Sequence, residues 1–357
     1  LGLNVYKSFV YDVICLIQSL EDSYFNEYEK YMDEKQKNIV QDIKKQLVKQ
    51  GFNDFNEYLS MSDICYIISI LVPNSQNNNI TIDFLIAMFE KPEIILQTLK
   101  SKVDVNSFIG SRLCSVSEKL ITGYAQRYVS AFKALKAINF NKIWTEQLTQ
   151  HIDLSVQQYY QSLHQYNISE ILSDISVLKA ESIDDFDVII TYFSYPIGFA
   201  LNSGMLLFIG SFEPNKLLSI VIHELMHCFS SKELEQRYCQ IKEQDVFLKE
   251  TNRTLIEKFH STYEEEFVVA IELFMSLRHN LYIRDELLQM AKERYDSCMP
   301  LSVIFFEYLC TEMSQLKSYN DWLLERLDSK YFYDTTIREK ADRIIPGFSS
   351  NYYQKNS

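Results

Sequence analysis

Two histidines and a glutamate stand close enough together in this chain to do chemistry on a metal ion. In Leu217-Leu218-Ser219-Ile220-Val221-Ile222-His223-Glu224-Leu225-Met226-His227-Cys228-Phe229 the histidines are four residues apart. On a helix both imidazoles therefore project from one face. Neutral imidazole is a preferred ligand of Zn2+, and a catalytic zinc keeps one position open for water. Glu224 follows the first histidine directly and sits beside the ligand stripe, where its carboxylate can reach such a water and act as general base. The flanking Val221, Leu225, Met226 and Phe229 are apolar, as in a buried helix, and buried imidazoles require partners. The competing account is a surface pair that flanks a glutamate by chance.

A pair of histidines needs a third protein ligand, and the candidates lie in the run from His260 to Met275. There Phe267, Val268, Ile271, Phe274 and Met275 define a packed helix face, which Val269, Ala270 and Glu272 widen. A carboxylate at the start of so buried a run is costly unless it is neutralised. Glu265 is the first choice, because it shares a stripe with Glu272 two turns later. Glu266 is the second choice and His260 a further alternative. An acidic first turn that complements the helix dipole would explain part of the triplet without a metal, and fits Glu264 best. Hydrolysis also calls for a donor to the developing oxyanion. His279 is the side chain to test first, with His260, Tyr263 and Tyr282 as the others.

Such residues must be carried on rigid elements. Only 8 glycines and 6 prolines punctuate 357 residues, which predicts long helices with short connections. Apolar residues recur at helical spacing over 3–31 (Val5, Phe9, Val13, Leu16, Ile17, Leu20, Tyr24), 36–72, 81–100 and 115–140. The polar stretch from Pro73 to Asn79 reads as a loop. Phe186–Phe193 and Gly204–Gly210 are β-branched and aromatic and read as two strands. Pro214 opens a helix near Asn215, and helical pattern continues until Pro346-Gly347. The expected class is α+β, mostly α-helical, with a helical domain over 1–180 and a second domain over 181–357.

His223-Glu224-Leu225-Met226-His227, followed by a glutamate on a downstream helix, resembles the gluzincin group of zinc metallopeptidases over residues 186 to 275. The resemblance implies that 181–357 is a zincin-like catalytic domain in which a small sheet lies over the zinc helices. Gly204–Gly210 would be the edge strand to which an extended peptide adds. It also implies that 1–180 forms a cleft wall or substrate-binding module. The chain departs from named patterns within the wider class. Ser230 and Glu233 stand where metzincins have a glycine and a third histidine. The Gly-Ala-Met-Glu-Asn signature of the large aminopeptidases is missing. Val269 and Ala270 occupy the place of the supporting aspartate of thermolysin-like enzymes.

Bulk properties narrow the partners. With 48 acidic against 35 basic residues the formal charge is -13, which repels phosphate backbones, so nucleic acid is not expected. The seven cysteines (15, 65, 114, 228, 239, 298 and 310) are scattered singly, as reduced thiols are. The first thirty residues carry Asp12, Glu21 and Asp22 among their apolar positions and lack the pattern of a signal peptide. No run approaches the length of a membrane span. A cytoplasmic zinc peptidase acting on peptides or unfolded polypeptides is the expectation. A catalytically inactive zinc-binding peptide sensor or regulatory protein on the same scaffold is the alternative.

Overall fold

The computed structural model describes residues 2–29, 32–56, 58–72, 80–105, 108–183, 185–193, 199–201, 204–208, 214–227, 231–259, 261–328 and 335–356. The fold is mostly helical with one small sheet, the α+β class expected. Two compact units are present. Leu3–Gln165 and Phe186–Ser211 form the sheet unit, while Tyr166–Asp185 and Phe212–Ser357, with Leu1–Gly2, form the motif unit. This division differs from a simple split at 180/181. The strands group with the first half of the chain, and the helix Ile168–Lys179 groups with the second.

The sheet is built from β1 (Gly2–Lys7), β2 (Asp185–Thr191), β3 (Phe199–Ala200) and β4 (Gly204–Phe208), in the order β1-β2-β4-β3. β1 corrects the reading of residues 3–7 as helix. Asn4 Nδ2 and Tyr6 Oη, two residues apart and so on one strand face, both donate to the Asp187 carboxylate at 3.1 and 2.9 Å. Local spacing cannot anticipate a partner so far along the chain, and helix starts only at Phe9. Nor does β4 form the edge of the sheet, as the resemblance implied. It runs parallel to β2, and the short β3 covers its other side through the pairs Phe199–Leu206 and Ala200–Met205. Gly204 is obligatory where β4 pairs with β2, because a Cβ there would collide with the Asp187 carbonyl. Ile209, Gly210 and the polar stretch 73–79 lie outside the described residues.

Beneath the sheet unit's apolar core one carboxylate acts as a pin. Asp12, on the helix Phe9–Ser19, is fully buried. It accepts hydrogen bonds from Trp144 Nε1 at 2.8 Å and from the Tyr192 amide at 2.5 Å, just past the end of β2. Ser19 Oγ adds a bond to the Phe193 carbonyl at 2.8 Å. Burial drives the Asp12 pKa up to about 7, against the pull of these donors. Elsewhere in the unit Tyr58, Phe89, Tyr128 and Phe132 pack edge-on and tilted against one another. Truncating one such buried ring to alanine costs about 3–5 kcal/mol.

In the motif unit the helix Glu264–Arg278 is central. Every residue from Glu266 to Ser276 is buried, as befits a helix without a polar face. It packs on the motif helix Pro214–Met226 and on the helix Pro300–Glu312. Phe267 meets Phe305 at 5.4 Å, Phe305 meets Trp322 at 5.9 Å, and Tyr319 Oη donates to the Phe267 carbonyl at 2.8 Å. The chain does not stop being helical at Pro346-Gly347. Gly347 turns in the left-handed region (φ 71°) and a further helix, Phe348–Asn356, follows, its Ser349 amide bonded to Asp342 Oδ1 at 3.0 Å. Among the described residues no helix is long and apolar enough to cross a membrane. The six described cysteines are free thiols, and Cys228 lies outside them.

Candidate metal centre

The motif helix starts at Pro214, whose fixed φ suits a first turn, and buries Leu217, Leu218, Val221, Ile222, Leu225 and Met226. That apolar stripe docks the helix antiparallel to Glu264–Arg278. Ser219 meets Glu272, His223 meets both Glu272 and Glu265, and His227 meets Glu265. Helical periodicity thus converts the four-residue step of the histidines and the seven-residue step of the glutamates into one row of contacts.

His223 Nε2 lies 3.2 Å from His227 Nε2 and 3.3 Å from Glu265 Oε1, and His227 Nε2 lies 3.7 Å from Glu265 Oε2. These three side chains form a cluster able to hold a metal ion. The fit can be tested on the distances themselves. Tetrahedral zinc with bonds of about 2.0–2.1 Å has ligand-to-ligand edges of about 3.3 Å. The three separations fall within about 0.4 Å of that value. Glu265 is therefore the glutamate that joins the histidines.

Glu266, the second choice, is placed elsewhere. It is fully buried, and its Oε2 accepts the Leu301 amide at 2.7 Å. It thereby satisfies one of the open amides at the start of the helix Pro300–Glu312. Burial pushes its pKa up to about 8. His260 lies outside the described residues. Tyr263 stacks on Tyr238 at 4.7 Å.

His279, the proposed oxyanion donor, pairs with Asp174 at 3.1 Å beside Arg278, which holds the same carboxylate at 2.8 Å. It is not brought to the triad. Fourteen residues after Glu265, it stands about 21 Å further along the helix axis.

What sequence reading missed is the support behind His223. Glu272 is 1 % exposed. Its Oε2 accepts from His223 Nδ1 at 2.9 Å, its Oε1 accepts from Ser219 Oγ at 2.7 Å, and Arg294 donates to both oxygens at 2.5 and 3.2 Å. Ser276 Oγ donates in turn to Ser219 Oγ at 3.3 Å. Burial alone would raise the Glu272 pKa, but Arg294 and then His223 hold it well below the carboxylate range. The signal was present in Glu272 itself, a lone carboxylate in an apolar run two turns from Glu265. Its task as partner of Nδ1 was not legible. A carboxylate in that position fixes the ring and leaves Nε2 free to bind a metal.

Charge sorts the two imidazoles. Burial opposes protonation of His223, yet Glu265, Glu272 and Glu224 together carry its pKa up to about 9. Burial and then the charge on His223 push His227 down to about 3. The charged form is thus favoured on His223 and disfavoured on His227. Lys179 Nζ lies 3.4 Å from the His227 carbonyl, at the exposed end of the helix dipole.

Glu224 is partly exposed and its charge is felt by both His223 and Tyr295. The Tyr295 pKa is raised by burial first and then by Glu265. Its hydroxyl is hydrogen-bonded to Ser261 and feels the charges of Glu265 and Glu224. Tyr282 answers instead to Glu272, its pKa pushed up to about 12 chiefly by burial.

Comparison of the chain with known protein families, with curated proteins and with solved structures finds no match. The functional reading therefore stands on the geometry of this centre.

Proposed function

We propose that the chain is a zinc-dependent peptidase of the glutamate-ligand type, with His223, His227 and Glu265 as the metal ligands. The observation that carries the reading is the approach of these three side chains to tetrahedral spacing, with Glu224 adjacent to the first of them. When bound there, zinc would supply Lewis acidity to a peptide carbonyl and to a water.

The chain's own residues supply the remaining tasks. Glu224 takes the proton of the attacking water and returns it to the leaving amine. Glu272 holds the His223 ring by Nδ1. Tyr295, in place of His279, donates a hydrogen bond to the carbonyl oxygen as it becomes negative. Peptides and unfolded polypeptides are the proposed substrates, and the cytoplasm is the proposed compartment.

Elemental analysis of the purified protein and of His223→Ala, with cleavage of a mixed peptide library by wild type and Glu224→Gln, tests this reading. Near-stoichiometric zinc that is lost with His223, and cleavage that falls at least a hundredfold in Glu224→Gln with metal retained, are expected. Zinc without cleavage would make the protein a peptide sensor on this scaffold. No zinc in the wild type would defeat the reading altogether.

A further inference from the structure

We propose that Arg294 is a positioning residue of the metal centre, presented by a left-handed turn so that it fixes Glu272 against His223. The inference rests on the metal-binding reading and extends it to a residue outside the ligand set.

The backbone here is unusual. Tyr295, Asp296 and Ser297 have φ of 48°, 57° and 65°. Three consecutive non-glycine residues in that region are costly and persist only where the surroundings over-determine them. Several contacts do so. The buried Ser297 Oγ donates to the Lys292 carbonyl at 2.8 Å, Asp296 pairs with Lys258 at 3.1 Å, the Tyr295 ring packs on Phe259 at 5.1 Å, and the Cys298 amide closes the turn on the Tyr295 carbonyl at 3.0 Å. The turn follows immediately on the helix Arg284–Glu293 and leaves Arg294 facing the helix Glu264–Arg278.

The chemistry at its tip explains why an arginine stands there. Ser219 and His223 each touch Glu272 at a single point. Neither of them grips both oxygens. The guanidinium donates to both oxygens and so sets the carboxylate plane, which a point charge such as lysine cannot do. The oxygen that Arg294 approaches most closely, Oε2, is the one that receives His223 Nδ1. Arg294 thus acts on the metal ligand through Glu272. Its side chain is 28 % exposed whereas that of Glu272 is 2 % exposed, so a small cation from solvent could take the place of a deleted guanidinium.

The test measures zinc affinity by competition with a chromophoric chelator, and the visible spectrum of the cobalt(II)-substituted protein. Wild type, Arg294→Ala, Arg294→Lys, Glu272→Gln and the double variant Arg294→Ala/Glu272→Gln are compared. A tenfold or greater loss of zinc affinity is expected in both Arg294 variants, with a shifted cobalt spectrum in Arg294→Lys. Millimolar guanidinium, but not ammonium, should restore Arg294→Ala. In the Glu272→Gln background, removing Arg294 should cost less than twofold more. Arg294→Lys within twofold of wild type would mean that charge alone suffices, and losses that add fully in the double variant would mean that Arg294 does not act through Glu272. Either result overturns the proposal while leaving the metal centre standing. A wild type that binds neither ion defeats both.

Discussion

Each unit of this protein buries a carboxylate on an apolar helix, and the two are treated in opposite ways. In the sheet unit Asp12 is met by the neutral donors Trp144 Nε1 and the Tyr192 amide, and its pKa rises to about 7. In the motif unit Glu272 is met by a hydroxyl, an imidazole and a guanidinium, and stays far below the carboxylate range. Hydrogen bonds from neutral groups do not offset the cost of burying a charge; a two-point guanidinium does. Asp12 is therefore a pin that can give up its charge near neutrality. Glu272 is a fixed anion, which a support for the proposed metal-binding imidazole has to be. Glu266, buried and met by the Leu301 amide, behaves like Asp12 although it lies only six residues before Glu272.

The contrast can be broken by taking the cation away. Arg294→Met leaves Glu272 buried without its guanidinium and should destabilise the protein by about 3–5 kcal/mol in urea denaturation. Adding Glu272→Gln should recover a large part of that loss. A double variant no more stable than the single one would show that Arg294 acts mainly through packing.

Next in size is the pH response of Asp12. Its folded pKa lies above its unfolded one, so the native state holds the proton more tightly. Stability is full below about pH 4 and is lost as pH rises through about 7, by on the order of 4 kcal/mol. Asp12→Asn should abolish that slope in denaturation curves taken from pH 4 to 8. A slope that survives the substitution would assign it to another group.

The smallest expected effect sharpens the comparison most. Glu265→Gln should weaken zinc binding about a hundredfold or more. The neighbouring Glu266→Gln should change it by less than about twofold and change stability at pH 7 by less than about 1 kcal/mol, because the protonated acid and the amide offer the Leu301 amide the same oxygen. Chelator competition and urea titration read the two quantities. Equal effects from both glutamates would contradict their separation into ligand and cap.

How far the sequence reached depends on where each partner lies. His223, Glu224 and His227 were legible because the helix repeat places them without help from the rest of the chain. Glu265 was legible because a carboxylate opening a buried helix needs a reason. Arg294 was not, since its link to Glu272 crosses 22 residues, the end of one helix and the whole of the next. His279 is kept from the triad by its distance along the helix, which its place fourteen residues after Glu265 already contains. The apolar residues of β1 fit either period, and what decides is Asp187, 181 residues beyond Tyr6. β3, only two residues long, leaves too little pattern to read.

The seven-residue interval between Glu265 and Glu272 makes this stretch unforgiving of changes in length. Each residue advances a helix by about 100°. One residue inserted or deleted between the two glutamates would keep Glu265 at the histidines and swing Glu272 off the His223 face. Substitutions can be absorbed along this helix, at Val268 or Ile271 for example, by side chains of similar volume. A change in length there cannot. Descendants of this chain that keep the proposed metal centre should therefore vary in the letters between Glu265 and Glu272 but keep their number.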